Sequence, residues 1–157
     1  MSSTKSPVRP APAIEPSTVD CGVLLVGHGA SVPGAAGVLE RQAGRLRDMR
    51  LFARVDWAVF VGEPTISSAL AAMPQSVLHV LPYFMSGGGF AAMCGTVCGE
   101  ADRSYPGRRR FIQHPPVGLD PAVSKLALDV SLRAAAKLGW SPAVTTVLLV
   151  AHGSLKR

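Results

Sequence analysis

Two histidines follow runs of branched apolar residues, and glycine stands beside each of them. The first, His28, follows Val23–Val26 and lies between Gly27 and Gly29. Four such apolar residues in a row are typical of a strand buried on both faces. Imidazole accepts protons and binds metals near neutral pH, and open α/β sheets bind ligands beyond the carboxyl ends of their strands. The pattern therefore predicts a reactive site at His28, with an inert loop histidine as the alternative.

The second histidine, His152, follows Val147–Val150 and comes 124 residues after the first. Self-similarity at a domain-sized offset indicates a duplicated domain. Residues 146–157 are therefore predicted to be the first strand of a second, truncated repeat. Either the sequence is a fragment, or this strand is kept as an appendage.

Two further strand ends carry unusual residues. Glu63 follows an apolar run at 54–61, and Gly87, Gly88 and Gly89 follow another at 76–84. A carboxylate beside a neutral imidazole suits proton transfer and a borderline divalent metal, whereas a lone glutamate can simply complement a helix dipole. The glycines form either a flexible turn or a surface that a flat ligand can approach closely. Because parallel strands end at one edge of a sheet, these groups are expected in one cleft.

Composition limits the class of protein and the class of partner. The 157 residues are 48% hydrophobic, which suits one domain with a real core, and no apolar run is long enough to span a membrane. A net charge of +6 favours acidic partners such as nucleic acid, anionic lipid or a polycarboxylate. Only 6% of the residues are aromatic and they do not alternate with basic residues, so no nucleic-acid partner is predicted. The absence of a long apolar run predicts no membrane partner.

The chain has three cysteines, and an odd number without a CxxC spacing fits a reducing cytoplasm. Cys94 and Cys98 would share one face of a helix, where they are either a soft-metal pair or small buried thiols. The second interpretation is preferred, because free cysteine usually behaves as a core residue.

The order of apolar patterns predicts an α/β fold. Residues 1–20 are proline- and serine-rich and read as a disordered tail, and residues 21–141 read as one domain. Strands alternate with helices, which predicts a four-stranded parallel sheet covered on both faces. The pair Glu63-Pro64 is expected to open one helix. Asp120-Pro121 is expected to open the last one, whose predicted buried stripe is Val123, Leu126, Ala127, Val130 and Ala134.

An ordered set of segments resembles the CbiX-type sirohydrochlorin chelatases over residues 22–140. The set comprises Val23–Ser31, Gly62–Ile66, Val80–Phe84 with the glycine loop, and Pro116–Leu119. The resemblance implies a three-layer α/β/α chelatase-like domain. It implies insertion of a divalent metal into sirohydrochlorin, a tetrapyrrole, in cobalamin or siroheme biosynthesis. Cobalt is expected first and iron or nickel second, with no cofactor beyond this substrate metal.

The same resemblance assigns roles to residues of this chain. His28 would bind the metal and accept protons, Glu63 would be its acidic partner, and Gly87, Gly88, Gly89 and Phe90 would contact the substrate. It also implies a cytoplasmic lyase that works with a second chelatase-like domain or as a homodimer. Arg103, Arg108, Arg109 and Arg110 could attract the substrate's carboxylates, but a solvated basic face is the preferred interpretation of these arginines.

One position departs from the family pattern, because Phe90 stands where the family has a second histidine after its glycines. This loss keeps open a non-catalytic module that binds a tetrapyrrole or a metal. A histidine-type phosphatase is a weaker alternative, since Gly27 replaces the arginine that would precede the histidine and hold phosphate. Of the remaining histidines, His79 is expected in the core or at the rim of the sheet, and His114 is expected at the rim.

Overall fold

The computed structural model describes residues 21–29, 34, 36–103 and 109–150. Within these residues strands and helices alternate as the sequence patterns predict. The strands are β1 (Cys21–Gly29), β2 (Arg54–Val61), β3 (Val77–Pro82) and β4 (Arg110–Gln113), and the helices are α1 (Gly37–Asp48), α2 (Ile66–Ala71), α3 (Gly89–Asp102) and α4 (Pro121–Lys137). The predicted disordered tail, residues 1–20, lies outside the described residues.

The four strands form one parallel sheet in the order β2-β1-β3-β4. Strand β1 lies in the middle, and its residue Leu24 pairs with Asp56 of β2 and with Val80 of β3. Leu24 and Val26 are completely buried, as the run of branched apolar residues predicts. All four strands end at the same edge, called here the carboxyl edge, and the opposite edge is the amino edge.

Two separate apolar clusters cover the two faces of the sheet, which gives the three-layer α/β/α architecture. Helices α2 and α3 pack on one face, and α1 packs on the other. The α2–α3 cluster contains Leu24, Val26, Ala58, Ile66, Ala69, Leu70, Met73, Leu78, Val80, Cys94 and Cys98. The α1 cluster is smaller and contains Val23, Leu25, Leu39, Ala43, Val55 and Val59.

Helix α2 begins later than expected. The prediction that Glu63-Pro64 opens a helix is wrong, because these residues lie in a turn that folds back on β2, where the Val59 N–H donates to the Pro64 carbonyl. The helix starts at Ile66, and Thr65 caps it by accepting a hydrogen bond from the Ser68 N–H. A threonine hydroxyl here satisfies one of the free N–H groups of the first helical turn.

Helix α4 begins as predicted but does not bury the predicted stripe. Asp120 caps it through a hydrogen bond from the Ala122 N–H, with Pro121 in the first turn. Of its residues only Ala135 is buried, whereas Leu126 and Val130 are exposed. The prediction is wrong because α4 contacts chiefly the turn at Val117–Leu119 and is not laid across the sheet.

The second apolar repeat does not form a strand within the described residues. Val147–Val150 adopt no regular secondary structure, and all four side chains are exposed. The assignment of 146–157 to a truncated repeat stays a prediction, and His152 lies outside the described residues. None of the helices in the described ranges is both long enough and apolar enough to cross a membrane.

Candidate active site at the carboxyl edge

His28 is the first side chain of β1 to leave the core. Every residue from Gly22 to Gly27 is buried, and His28 is exposed. Gly29, which follows it, pairs with Val61 at the end of β2 and has a positive φ of 75°. A side chain at residue 29 would collide with the backbone of Val61, so only glycine allows the two strands to run together past the histidine.

One ring nitrogen of His28 already makes a hydrogen bond. Its Nδ1 lies 2.8 Å from the carbonyl oxygen of Gly29. Because a carbonyl oxygen can only accept, Nδ1 must donate, and the neutral ring then carries its lone pair on Nε2. A histidine fixed in this tautomer by a backbone carbonyl is oriented as a proton acceptor or metal ligand.

The ring of Phe90 lies against His28. Their ring centroids are 4.5 Å apart, and the planes meet edge to face at 83°. Phe90 also packs with Phe84 at 6.3 Å and with Phe60 at 5.2 Å, yet it remains 42% exposed. The position after the glycines thus faces His28, as the sequence predicts. The sequence patterns do not predict Phe60 or Phe84 at this site. Phe84 ends the apolar run at 76–84, and its position just beyond β3 is the signal that could have placed it near the carboxyl edge.

Glu63 lies on the same edge, and no hydrogen bond or ion pair joins it to His28. It follows Val61, the residue paired with Gly29, by two positions. Its Oε2 accepts a hydrogen bond of 3.0 Å from the Thr65 N–H, and its side chain is exposed. The carboxylate therefore stabilises the turn before α2 and has its Oε1 free.

The glycine loop opens directly into a helix. Gly88 is the N-cap of α3, and Gly89 is its first residue. None of Gly87, Gly88 and Gly89 has a positive φ, and a Cβ added at any of them would have ordinary space or no neighbour within 4 Å. Neither the backbone nor the packing requires glycine here, so its effect is to leave the carboxyl edge uncovered.

Three of the four arginines named above, Arg103, Arg109 and Arg110, are described by the structure and lie away from His28. Arg110 starts β4 and pairs with Val77, the first residue of β3, which places it at the amino edge. Arg109, just before it, is nearly buried, with Nε 3.3 Å from Asp102. Arg103 follows α3, which runs away from the site, and Arg108 lies outside the described residues. For Arg109 and Arg110 the suggestion that they attract substrate at the His28 site is wrong, because parallel strands begin at the edge opposite His28.

Cys94 and Cys98 are structural. Cys94 and Cys98 are both fully buried in the α2–α3 cluster. Burial raises the pKa of the Cys94 thiol to about 11, and burial, with Cys94 and Asp102 nearby, raises that of Cys98 to about 12. Thiols held neutral in this way are poor metal ligands, which confirms the preferred interpretation. Across the described ranges, no three His, Cys, Asp or Glu side chains are grouped so that they could hold a metal ion.

A second histidine pair lies away from this site. His79 Nδ1 and His114 Nε2 are 2.8 Å apart, and the two rings stack with centroids 5.1 Å apart. His79 pairs with Val23 in the sheet, so it shares the face of the α1 cluster. Burial lowers the pKa of His79, and the charges of His114 and Arg110 lower it further. The sequence predicted neither this pairing nor a partner for His114.

Comparisons with known proteins agree with this architecture. A CbiX protein from Marinobacter aquaeolei, provisionally named for cobalamin (vitamin B12) biosynthesis, superposes with a TM-score of 0.61 at 16% identity. The match covers 74% of this chain and 98% of that one. A multi-domain protein from Deinococcus radiodurans with structural similarity to chelatases superposes with a TM-score of 0.56 at 23% identity. This match covers 71% of this chain and 24% of the other. A search of curated proteins found no match. The CbiX family model matches residues 22–144, so the chain belongs to the CbiX family.

Proposed function

We propose that this protein is a sirohydrochlorin chelatase that inserts a divalent metal, cobalt first and iron or nickel second, in cobalamin or siroheme biosynthesis. CbiX membership supports a tetrapyrrole metal chelatase in general. The single observation that carries the assignment to this site is the state of His28. Its Nδ1 is engaged by Gly29, and its Nε2 is available at an open edge beside an aromatic ring.

The reaction has a simple proton balance. The macrocycle releases two pyrrole N–H protons, and the metal ion exchanges water for the four ring nitrogens. His28 Nε2 accepts one proton at a time and returns it to water, so the two protons leave in succession. Between these steps the neutral ring holds the incoming ion weakly, with the free oxygen of Glu63 as an acidic partner on the same edge.

The surroundings of His28 suit a flat, acidic substrate. Phe90 is exposed and offers an aromatic face for stacking, and the glycines beside it leave room for a planar ring. The first N–H groups of α3, which has no side-chain cap, point from the glycine loop toward this edge. They carry the positive end of the helix dipole, which favours the peripheral carboxylates of such a substrate.

The direct test is metal insertion by the full chain. Sirohydrochlorin is mixed with Co²⁺, Fe²⁺ or Ni²⁺ in separate reactions, and the change of the tetrapyrrole absorption spectrum is followed with and without protein. We expect acceleration above the spontaneous rate, largest with cobalt. No acceleration with any of the three metals would refute the proposal.

A glycine variant tests the substrate surface separately. Gly89→Val is expected to raise the KM for sirohydrochlorin, because its branched side chain projects into space that the loop leaves open. Gly99→Ala is the matched control on α3, since a Cβ there also meets nothing within 4 Å. Equal KM values for both variants would show that the substrate does not lie over the glycine loop.

Phe90 supports one second candidate, a module that binds the tetrapyrrole or the metal without catalysis. A phenyl ring cannot ligate a metal, and it occupies the position facing His28. Saturable binding of sirohydrochlorin, measured by fluorescence, without any acceleration of insertion would favour this candidate. The phosphatase alternative is not proposed further, because the chain belongs to the CbiX family.

A further inference from the structure

Gln113, the last residue of β4, makes two hydrogen bonds to the backbone of α3. Its Nε2 donates to the Ala91 carbonyl at 2.9 Å, and its Oε1 accepts from the Gly95 N–H. In an α-helix a carbonyl and the N–H four residues later are each other's usual partners. The side-chain amide of Gln113 therefore bridges two backbone groups that a helix normally joins to one another.

The backbone does not need this bridge in order to be satisfied. The Ala91 carbonyl and the Gly95 N–H have each other as partners in a regular helix. The bridge also requires glycine on the helix, because a Cβ at Gly95 would collide with Oε1 of Gln113. Glycine weakens a helix interior, so the bridge does not serve the intrinsic stability of α3. Its effect is positional, since it fixes the first turns of α3 against the end of β4.

The helical turn that Gln113 holds carries the aromatic ring that faces His28. Phe90 directly precedes Ala91, and the centroid of its ring lies 4.5 Å from that of His28. The buried Ala91 and Cys94 also pack this turn against the core. Apolar packing is non-directional, whereas hydrogen bonds constrain both distance and angle. The bridge therefore constrains where Phe90 stands relative to His28.

We infer that Gln113 is a positioning residue of the carboxyl-edge site, which fixes the first turn of α3 so that Phe90 and the glycine loop stay in place beside His28. Its consequence for substrate rests on the proposed function, in which the tetrapyrrole lies over these groups. His28 itself is oriented by the Gly29 carbonyl on β1 and does not depend on Gln113. Loss of the bridge should therefore weaken substrate binding and leave proton transfer at His28 intact.

The first experiment uses the full chain without substrate or metal. An aromatic ring shifts the NMR resonances of protons that it contacts, so the ring protons of His28 report the position of Phe90. His28→Ala identifies these resonances by their loss, and Phe90→Leu gives their position without the phenyl ring. Gln113→Ala, at an exposed position, is expected to move them toward the Phe90→Leu values. Unchanged resonances in a folded Gln113→Ala protein would overturn the proposal.

A second variant breaks the bridge from the helix side. Gly95→Ala places a Cβ against the Gln113 amide, so it should move the His28 resonances in the same way, although alanine is the better helix former. Gly99→Ala is the matched control and should leave them unchanged, because a Cβ there meets nothing within 4 Å. The double variant Gly95→Ala/Gln113→Ala should resemble Gln113→Ala alone, since both changes remove one bridge. Wild-type resonances in Gly95→Ala, or additive shifts in the double variant, would overturn the proposal.

The kinetics of metal insertion test the consequence for substrate. Gln113→Ala is expected to raise the KM for sirohydrochlorin by about threefold to tenfold, which is the usual effect of losing a hydrogen bond, with kcat unchanged. An unchanged KM in a variant whose His28 resonances have moved would overturn the effect on substrate. The NMR measurement uses neither substrate nor metal. A wild type without insertion activity would therefore refute the proposed function, and the resonances would still decide the role of Gln113.

Discussion

Two histidines on neighbouring strands of this sheet have opposite surroundings. His28 lies at the end of β1, where it is exposed, hydrogen-bonded to a backbone carbonyl and in contact with the ring of Phe90. His79 lies within β3, partly buried against His114, and burial lowers its pKa. The same side chain is thus available for chemistry at a strand end and serves packing inside a strand. Position along the strand, more than residue type, decides which role is open to it.

The largest expected effect separates these two histidines by activity. His28→Ala should lower the rate of metal insertion by about a hundredfold or more, the usual contribution of a positioned general base. Its unfolding temperature should match that of the wild type, because the side chain lies outside the core. His79→Gln is the matched control and should keep its insertion rate. A folded His28→Ala protein with the wild-type rate would remove His28 from the mechanism.

A gain of function at the same edge should be the next largest effect. Phe90→His places a second imidazole beside His28 and should tighten Co²⁺ binding by about tenfold or more, because two imidazoles suit a borderline divalent metal. Calorimetric titration of cobalt into both proteins measures this, and Phe90→Leu is the apolar control. If Phe90→His and the wild type bind cobalt equally, residue 90 does not face the metal.

The pH dependence of stability should follow His79. Its pKa is lowered in the folded state from 6.5, so the unfolded state binds more protons in this range and stability rises with pH. The stability is present above pH 6.5 and is lost as the pH falls through the lowered pKa. His79→Gln should therefore flatten the dependence of unfolding temperature on pH below 6.5.

The control for this measurement is His28→Ala, which leaves the pair of His79 and His114 intact. It should show the wild-type pH dependence of unfolding. If His79→Gln retains the full loss of stability on acidification, another group is responsible, and the contrast between the two histidines rests on activity alone.

The smallest effect is expected far from both histidines. Deletion of residues 146–157 should change the unfolding temperature little, because Val147–Val150 are exposed and belong to no strand. Thermal unfolding of the shortened and full chains provides the comparison. A fall of several degrees would show that this apolar segment contributes to the core, and would contradict its placement outside the sheet.

Much of the fold followed from local patterns. The central strand was predicted from Val23–Val26, because a run of branched apolar residues needs burial on both faces. Asp120 and Pro121 marked the start of α4 correctly, since capping is decided by adjacent residues. The start of α2 was missed because the carboxylate of Glu63 serves the turn before the helix, and a glutamate followed by proline fits either role.

The sequence by itself determined the order of strands and helices and placed His28, Glu63 and the glycine loop at one edge, because these depend on apolar periodicity and on the parallel direction of the strands. Only the tertiary structure decided which groups touch. It brought Phe90 to His28, paired His79 with His114, and moved Arg110 to the opposite edge. It also left α4 largely exposed, since the Gly118 N–H donates to the Phe84 carbonyl and holds the start of that helix just beyond β3. These outcomes depend on register and on where a helix leaves the sheet, which no local pattern in the chain encodes.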